Sequence, residues 1–151
     1  MKKVLLLILV VVLLLSSCKS GNVKSGIYLN PDSLNTAFSL NEGIYKGTIK
    51  VENDNLIITI NYPETIKDVK FIVSDNTVSS VYGDISVVQN DLKVKGVFNE
   101  LYNCYKKLSV VSEFKIKDDF LEYTDNDFSA ILDYDGNLLS IELKSSKFNF
   151  K

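Results

Sequence analysis

The sequence predicts a mainly β domain of the α+β class, an antiparallel meander forming a curved, incomplete barrel with one helix packed on it. Three observations predict this. Apolar residues alternate with a period of two over most of the chain beyond Ile44. Turns rich in Asn, Asp and Gly separate these runs at the short, regular spacing of an antiparallel meander. One segment, Val97 to Leu108, changes to apolar spacings of three and four, the period of an amphipathic helix.

The first element is a targeting segment. Met1-Lys2-Lys3 is a short positive start, and Val4 to Leu15 is an unbroken apolar run of twelve residues. As a helix such a run spans roughly 18 Å, short of a hydrocarbon core of roughly 30 Å, so it reads as a signal-peptide core and not as a membrane span. Leu15-Ser16-Ser17-Cys18 follows: an aliphatic residue, two small residues, then a cysteine. That pattern resembles the bacterial lipobox. The resemblance implies a diacylglycerol on the Cys18 sulfur and cleavage just before it, with residues 1–17 as the signal peptide. Two or three acyl chains give a stable anchor, where a single chain holds only reversibly. The expected location is therefore extracytoplasmic, lipid-anchored to the cell membrane, or to the outer membrane in a diderm.

Removing residues 1–17 leaves 134 residues with 15 lysines against 19 acids, a net charge of −4. Lys19 to Gly26 is polar and rich in Gly and Ser, so residues 18–26 are expected to be the lipidated cysteine and a flexible tether. Residues 27–151 form a single β-rich domain. Asn30-Pro31-Asp32-Ser33 reads as a turn or a helix start, and the segment through Leu40 is ambiguous between strand and helix.

From Ile44 the elements are clear. Ile44 to Val51 and Leu56 to Tyr62 alternate on either side of Glu52-Asn53-Asp54-Asn55, a hairpin signal, and Pro63 ends the second strand because it cannot donate to a ladder. Val69 to Ser74 and Thr77 to Tyr82 form a second pair around Asp75-Asn76, and Ile85 to Val88 extends it beyond Gly83. The helix Val97 to Leu108 follows, with Val97, Phe98, Leu101, Cys104, Tyr105 and Leu108 on one side and lysines near its C-terminus, where they suit the dipole. Val110 to Ile116, Phe120 to Thr124, Phe128 to Tyr134, Leu138 to Leu143 and Lys147 to Phe150 complete the sheet. Asp135-Gly136 between two alternating runs is the strongest short-range hairpin signal in the chain.

Composition excludes several functions. There is no histidine, and every basic residue is lysine. Without histidine there is no Ser-His-Asp or Cys-His catalysis and no His-ligated metal. Without arginine there is no guanidinium fork for phosphates or base edges, and the negative charge argues further against nucleic acid. The acidic pairs Asp125/Asp127 and Asp133/Asp135 fail as calcium loops of the EF-hand type. Counting from Asp125 puts Ala130 and Gly136 at the sixth and twelfth positions, and counting from Asp133 puts Leu138 and Lys144 there, where glycine and glutamate are required. They read as solvated turns. With Cys18 acylated, Cys104 has no disulfide partner and reads as a small buried hydrophobe. The expectation is no enzyme, no metal and no cofactor.

Tyr62-Pro63-Glu64-Thr65-Ile66-Lys67-Asp68-Val69-Lys70-Phe71, Ser80-Val81-Tyr82-Gly83-Asp84, and Ile131 through Ile141 carry a pattern of strand, proline, short loop, strand and closing hairpin. Together with the lipobox and tether, this resembles small bacterial lipoproteins of the LolA/LolB-like fold group, which includes the LppX/LprG and GerS-like lipoproteins. The resemblance implies an apolar cavity that can hold acyl chains. Tyr45, Ile49, Ile58, Ile60, Phe71, Val73, Phe98, Leu101, Tyr105 and Leu132 are the candidate lining. The expected function is a membrane-anchored, non-catalytic binding domain for a lipid or other hydrophobic ligand. The alternative is an anchored interaction module that regulates or scaffolds a cell-envelope protein. A contiguous interior void favours the first, an exposed apolar patch or sheet edge the second.

Overall fold

A computed structural model describes residues 23–75, 77–89 and 96–151. The expected signal peptide, Cys18 and the start of the expected tether lie outside the described residues. Among the described residues, twelve strands form one open antiparallel sheet. In chain order they are β1 (Val23–Ser25), β2 (Thr36–Leu40), β3 (Tyr45–Glu52), β4 (Asn55–Tyr62), β5 (Lys70–Val73), β6 (Val78–Tyr82), β7 (Ile85–Gln89), β8 (Glu113–Lys117), β9 (Phe120–Thr124), β10 (Phe128–Leu132), β11 (Leu138–Leu143) and β12 (Lys147–Phe150). Helix α1 (Val97–Leu108) connects β7 to β8. The order across the sheet is β1-β8-β9-β10-β11-β12-β2-β3-β4-β5-β6-β7.

This order joins two meanders. Strands β2 to β7 form one, and β8 to β12 form the other, with β12 paired to β2 through Phe150–Phe38 and Phe148–Leu40. Curvature follows from where α1 touches. The helix contacts both β5 and β11, which stand five strand spacings apart, about 24 Å in a flat sheet. A helix with its side chains is about 10–12 Å across. The sheet must therefore wrap around the helix, and the expected curved, incomplete barrel with one helix is the structure observed.

Packing follows the period of each element. Leu56, Ile58 and Ile60 on β4 are buried in alternation, and so are Phe128, Ala130 and Leu132 on β10. From the helix, Leu101, Tyr102, Cys104, Tyr105 and Leu108 enter the same core. The ring of Phe98 bridges the two halves, 4.8 Å from Phe71 on β5 and 6.4 Å from Phe148 on β12. The β3–β4 hairpin turns at Asn53 and Asp54, both left-handed with φ of 51° and 60°, the geometry of a two-residue type I′ turn. Gly47 on β3 lies opposite Phe38 on β2. A Cβ there would collide with the Thr59 carbonyl and stand 2.9 Å from the Phe38 ring, so glycine is needed for the close approach.

Several strand ends shift by one residue, and four places differ from expectation by more. Val23–Ser25, expected within the tether, pairs with β8 as β1. The ambiguous segment before Leu40 splits into a short 3-10 turn, Pro31–Leu34, capped by the Asn30 side chain, and then β2. Strand β8 begins at Glu113 and not at Val110, because the chain first turns off the helix through Val110 and Val111, whose N–H groups donate to Lys107 and Leu108. Strand β10 stops at Leu132, because Asp133 already organises the following turn.

Candidate functional site

The ten residues expected to line a cavity are placed as follows. Ile49, Ile58, Ile60, Val73, Leu101 and Leu132 are at most 1% exposed and belong to one core cluster. Tyr105 is buried with them, and Phe71 and Phe98 are half-buried against the same cluster. The core thus gathers nine of them into, or against, one buried cluster. Tyr45 is the exception: it is 37% exposed. It is the first residue of β3 and lies opposite Leu40, the last of β2, so it keeps the core-facing side but stands at the rim of the sheet. A β-bulge, where the pairing jumps from Lys46–Tyr62 to Gly47–Ile60, turns Tyr62 away beside Lys46 instead.

Surface clefts lie elsewhere. One of about 320 Å³ runs between α1 and the β10–β11 pair, lined by Glu100, Asn103, Cys104 and Lys107 from the helix and by Asp127, Phe128, Leu143, Lys144 and Ser145 from the sheet. A second groove of about 430 Å³ crosses the outer face of β2, β3 and β4 and includes Ile49 from the candidate set. The first cleft has charged walls. Lys107 forms an ion pair with Asp125, and Asp125 Oδ1 accepts from the backbone N–H of Asp127 at 2.7 Å and of Phe128 at 3.0 Å. Burial works to raise the Asp125 carboxyl, but Lys107 and the two N–H groups outweigh it and hold it at about 2. Burial, reinforced by Asp125, Glu100 and Asp127, pushes the Cys104 thiol up to about 12. That thiol is protonated at neutral pH and packs as the hydrophobe expected.

The second acidic pair holds a turn together. Asp133 Oδ1 accepts from the N–H of Asp135 at 2.9 Å and of Asn137 at 2.8 Å, and Oδ2 accepts from Asn137 Nδ2 at 2.8 Å. Burial works against the charge, yet these donors keep the carboxyl below its ordinary range. The turn in turn fixes the N-terminal segment: Asn30 Nδ2 donates to Asn137 Oδ1 at 2.8 Å, and Asn30 N to the Gly136 carbonyl at 2.9 Å.

What alternation in the sequence did not reveal is the exposure of the last hairpin. Tyr82, Ile85, Val87 and Val88 are 59%, 68%, 60% and 55% exposed. Val87 lies opposite Ser80, which lies opposite Phe71, so Val87 continues the concave face beyond the reach of the helix. Val88 is on the convex face. Strand β7 contains no charged side chain, and among the described residues it is paired on one side alone, to β6. Its outer edge therefore presents backbone N–H and C=O groups without the lysine or proline that commonly blunts such an edge. The opposite edge, β1, is three residues long and carries Lys24. Comparison of the chain with protein-family models, with curated proteins and with solved structures found no match.

Proposed function

We propose that this protein is a non-catalytic, lipid-anchored extracytoplasmic module that binds another protein of the cell envelope, with β7 receiving an extended segment of that partner. The observation that carries the reading is the exposed, uncharged edge of β7 with apolar side chains on both faces. Strand addition uses such an edge: main-chain hydrogen bonds give affinity, and alternate side chains give selectivity. A protein partner is preferred over an apolar ligand because Ile58, Val73, Leu101 and Leu132, expected to line a lipid cavity, fill the core themselves. Anchoring rests on Leu15-Ser16-Ser17-Cys18.

The test is a pull-down from detergent-solubilised envelopes of the source cells with wild-type protein and with Val87→Lys, which places a charge on the edge while leaving the core untouched. A partner retained by the wild type and lost with V87K, at unchanged circular dichroism, supports the reading. Equal retention by both sinks it. Recovery of stoichiometric fatty acid from the purified domain instead favours the ligand-carrier function.

A further inference from the structure

The register of β1 fixes how the chain leaves the fold. Ser25 lies opposite Glu113 and Val23 opposite Lys115. Followed back towards its N-terminus, the chain therefore runs along β8 towards Lys117 and the β8–β9 turn. The β10–β11 turn is at the same end, since Leu132 lies opposite Leu121, one residue into β9. Tyr134 of that turn ties the two turns together: its hydroxyl donates to the Asp118 carbonyl at 3.2 Å, and Lys24 Nζ sits 4.5 Å from its ring centre.

Large apolar side chains stand exposed at this end: Val23 at 56%, Phe120 at 46%, Tyr134 at 41% and Ile116 at 36%. Cys18 precedes Val23 by five residues, a reach of at most about 18 Å when fully extended. An acylated Cys18 would hold this end of the sheet within that distance of its own acyl chains. Charges here are mixed, Lys24, Lys115 and Lys117 against Asp118, Asp119 and Asp135, so a lipid surface would be met through the aromatic side chains and not through net charge. Tyr side chains, with an apolar body and a polar tip, suit the headgroup level.

We propose that the end of the sheet formed by the β8–β9 and β10–β11 turns rests on the lipid surface, with Phe120 and Tyr134 seated at headgroup depth. The inference depends on the lipid anchor at Cys18 put forward above and adds the orientation of the domain to it. The chain has no tryptophan, so one introduced indole is an unambiguous depth reporter. The experiment uses the acylated mature protein, residues 18–151, bound to phosphatidylcholine vesicles with brominated acyl chains. Phe120→Trp and, separately, Tyr134→Trp report the proposed contact. Asn126→Trp reports the opposite end of β9 and β10. The expected result is loss of at least half of the emission at 120 and 134, with a blue shift, and an unchanged signal at 126. Vesicle-bound protein whose indoles at 120 and 134 escape quenching, or whose indole at 126 is quenched equally, overturns the orientation and leaves the anchor standing. Protein that fails to bind vesicles at all overturns the anchor, and the orientation with it.

Discussion

Gly136 faces the Tyr28 carbonyl so closely that a Cβ at this position would overlap the oxygen, and its φ of +84° lies in the left-handed region. The glycine of the β10–β11 hairpin thus also serves as the seat on which the N-terminal segment crosses from β1 to β2. Gly136→Ala is expected to lower stability by about 2–4 kcal/mol through the combined backbone strain and overlap. Urea unfolding measures the loss, and hydrogen exchange should show the extra opening concentrated at Val23–Ser25 and Leu29.

Phe98 closes the sheet around the helix by contacting both halves. Phe98→Ala removes a half-buried ring from between Phe71 and Phe148 and is expected to cost about 2–3 kcal/mol, at the lower end for an aromatic truncation because the ring is not fully enclosed. Phe98→Leu should recover more than half of that in the same denaturation assay.

Tyr102 is fully buried, yet its hydroxyl reaches the Asp75 carboxylate at 2.9 Å and the Asp54 carbonyl at 3.1 Å, linking the helix to the β3–β4 and β5–β6 turns. Burial, followed by the bond to Asp75, pushes the phenol up to about 12. Tyr102→Phe is expected to cost about 1–2 kcal/mol, since the acceptor partner is charged. The phenol of Tyr102 should stay protonated in a spectrophotometric titration to pH 11 that ionises exposed tyrosines.

Acid should destabilise the fold through Asp125 and Asp133. Both carboxyls are held below their ordinary range in the folded chain, so each adds stability above the unfolded carboxylate value and loses it as pH falls through the folded one. Thermal melts should show Tm falling from about pH 5 to pH 2. Asp125→Asn should flatten that dependence while lowering Tm at pH 7. An unchanged acid profile in D125N would refute the assignment.

Cys104 should resist thiol reagents. In a Cys18→Ser background, dithionitrobenzoate is expected to react with the native protein at least a hundredfold more slowly than with the urea-unfolded chain, because the buried thiol holds its proton to about 12.

Strands and helix were legible from the sequence where one side of an element is dry and the other wet. Val97–Leu108 has the boundaries its periodicity predicts because its apolar positions turn to the core, and Phe120–Thr124 keeps its predicted boundaries through Leu121 and Tyr123 although Phe120 itself is exposed. Strand β2 was not legible, since Thr36-Ala37-Phe38-Ser39-Leu40 is compatible with either period until its partners β12 and β3 are known. Tyr102 was placed on no face by spacing alone, although it is among the largest fully buried side chains. The missing signal was its hydroxyl, which can be buried because Asp75 receives it. In the candidate site, patterning grouped nine of the ten residues but could not tell a lined cavity from a filled core, because both bury the same positions. The exposure of Tyr45 left no mark either, because alternation tells which face a residue takes and not where along the strand that face runs out of neighbours. The exposure of Ile85 and Val87 was invisible for the opposite reason: their alternation is that of a buried strand, while the helix stops short of them.

The pairing of β12 with β2 has a consequence for the order in which the chain acquires its structure. Thr36 donates its hydroxyl to the Lys151 carbonyl, 115 residues away in sequence, and Phe38 waits for Phe150. Each meander can zip locally, hairpin by hairpin, but the seam between them closes by the longest loop in the molecule and is the slowest contact to form. Until the final strand arrives, β2 has an open side in the middle of what will become the sheet.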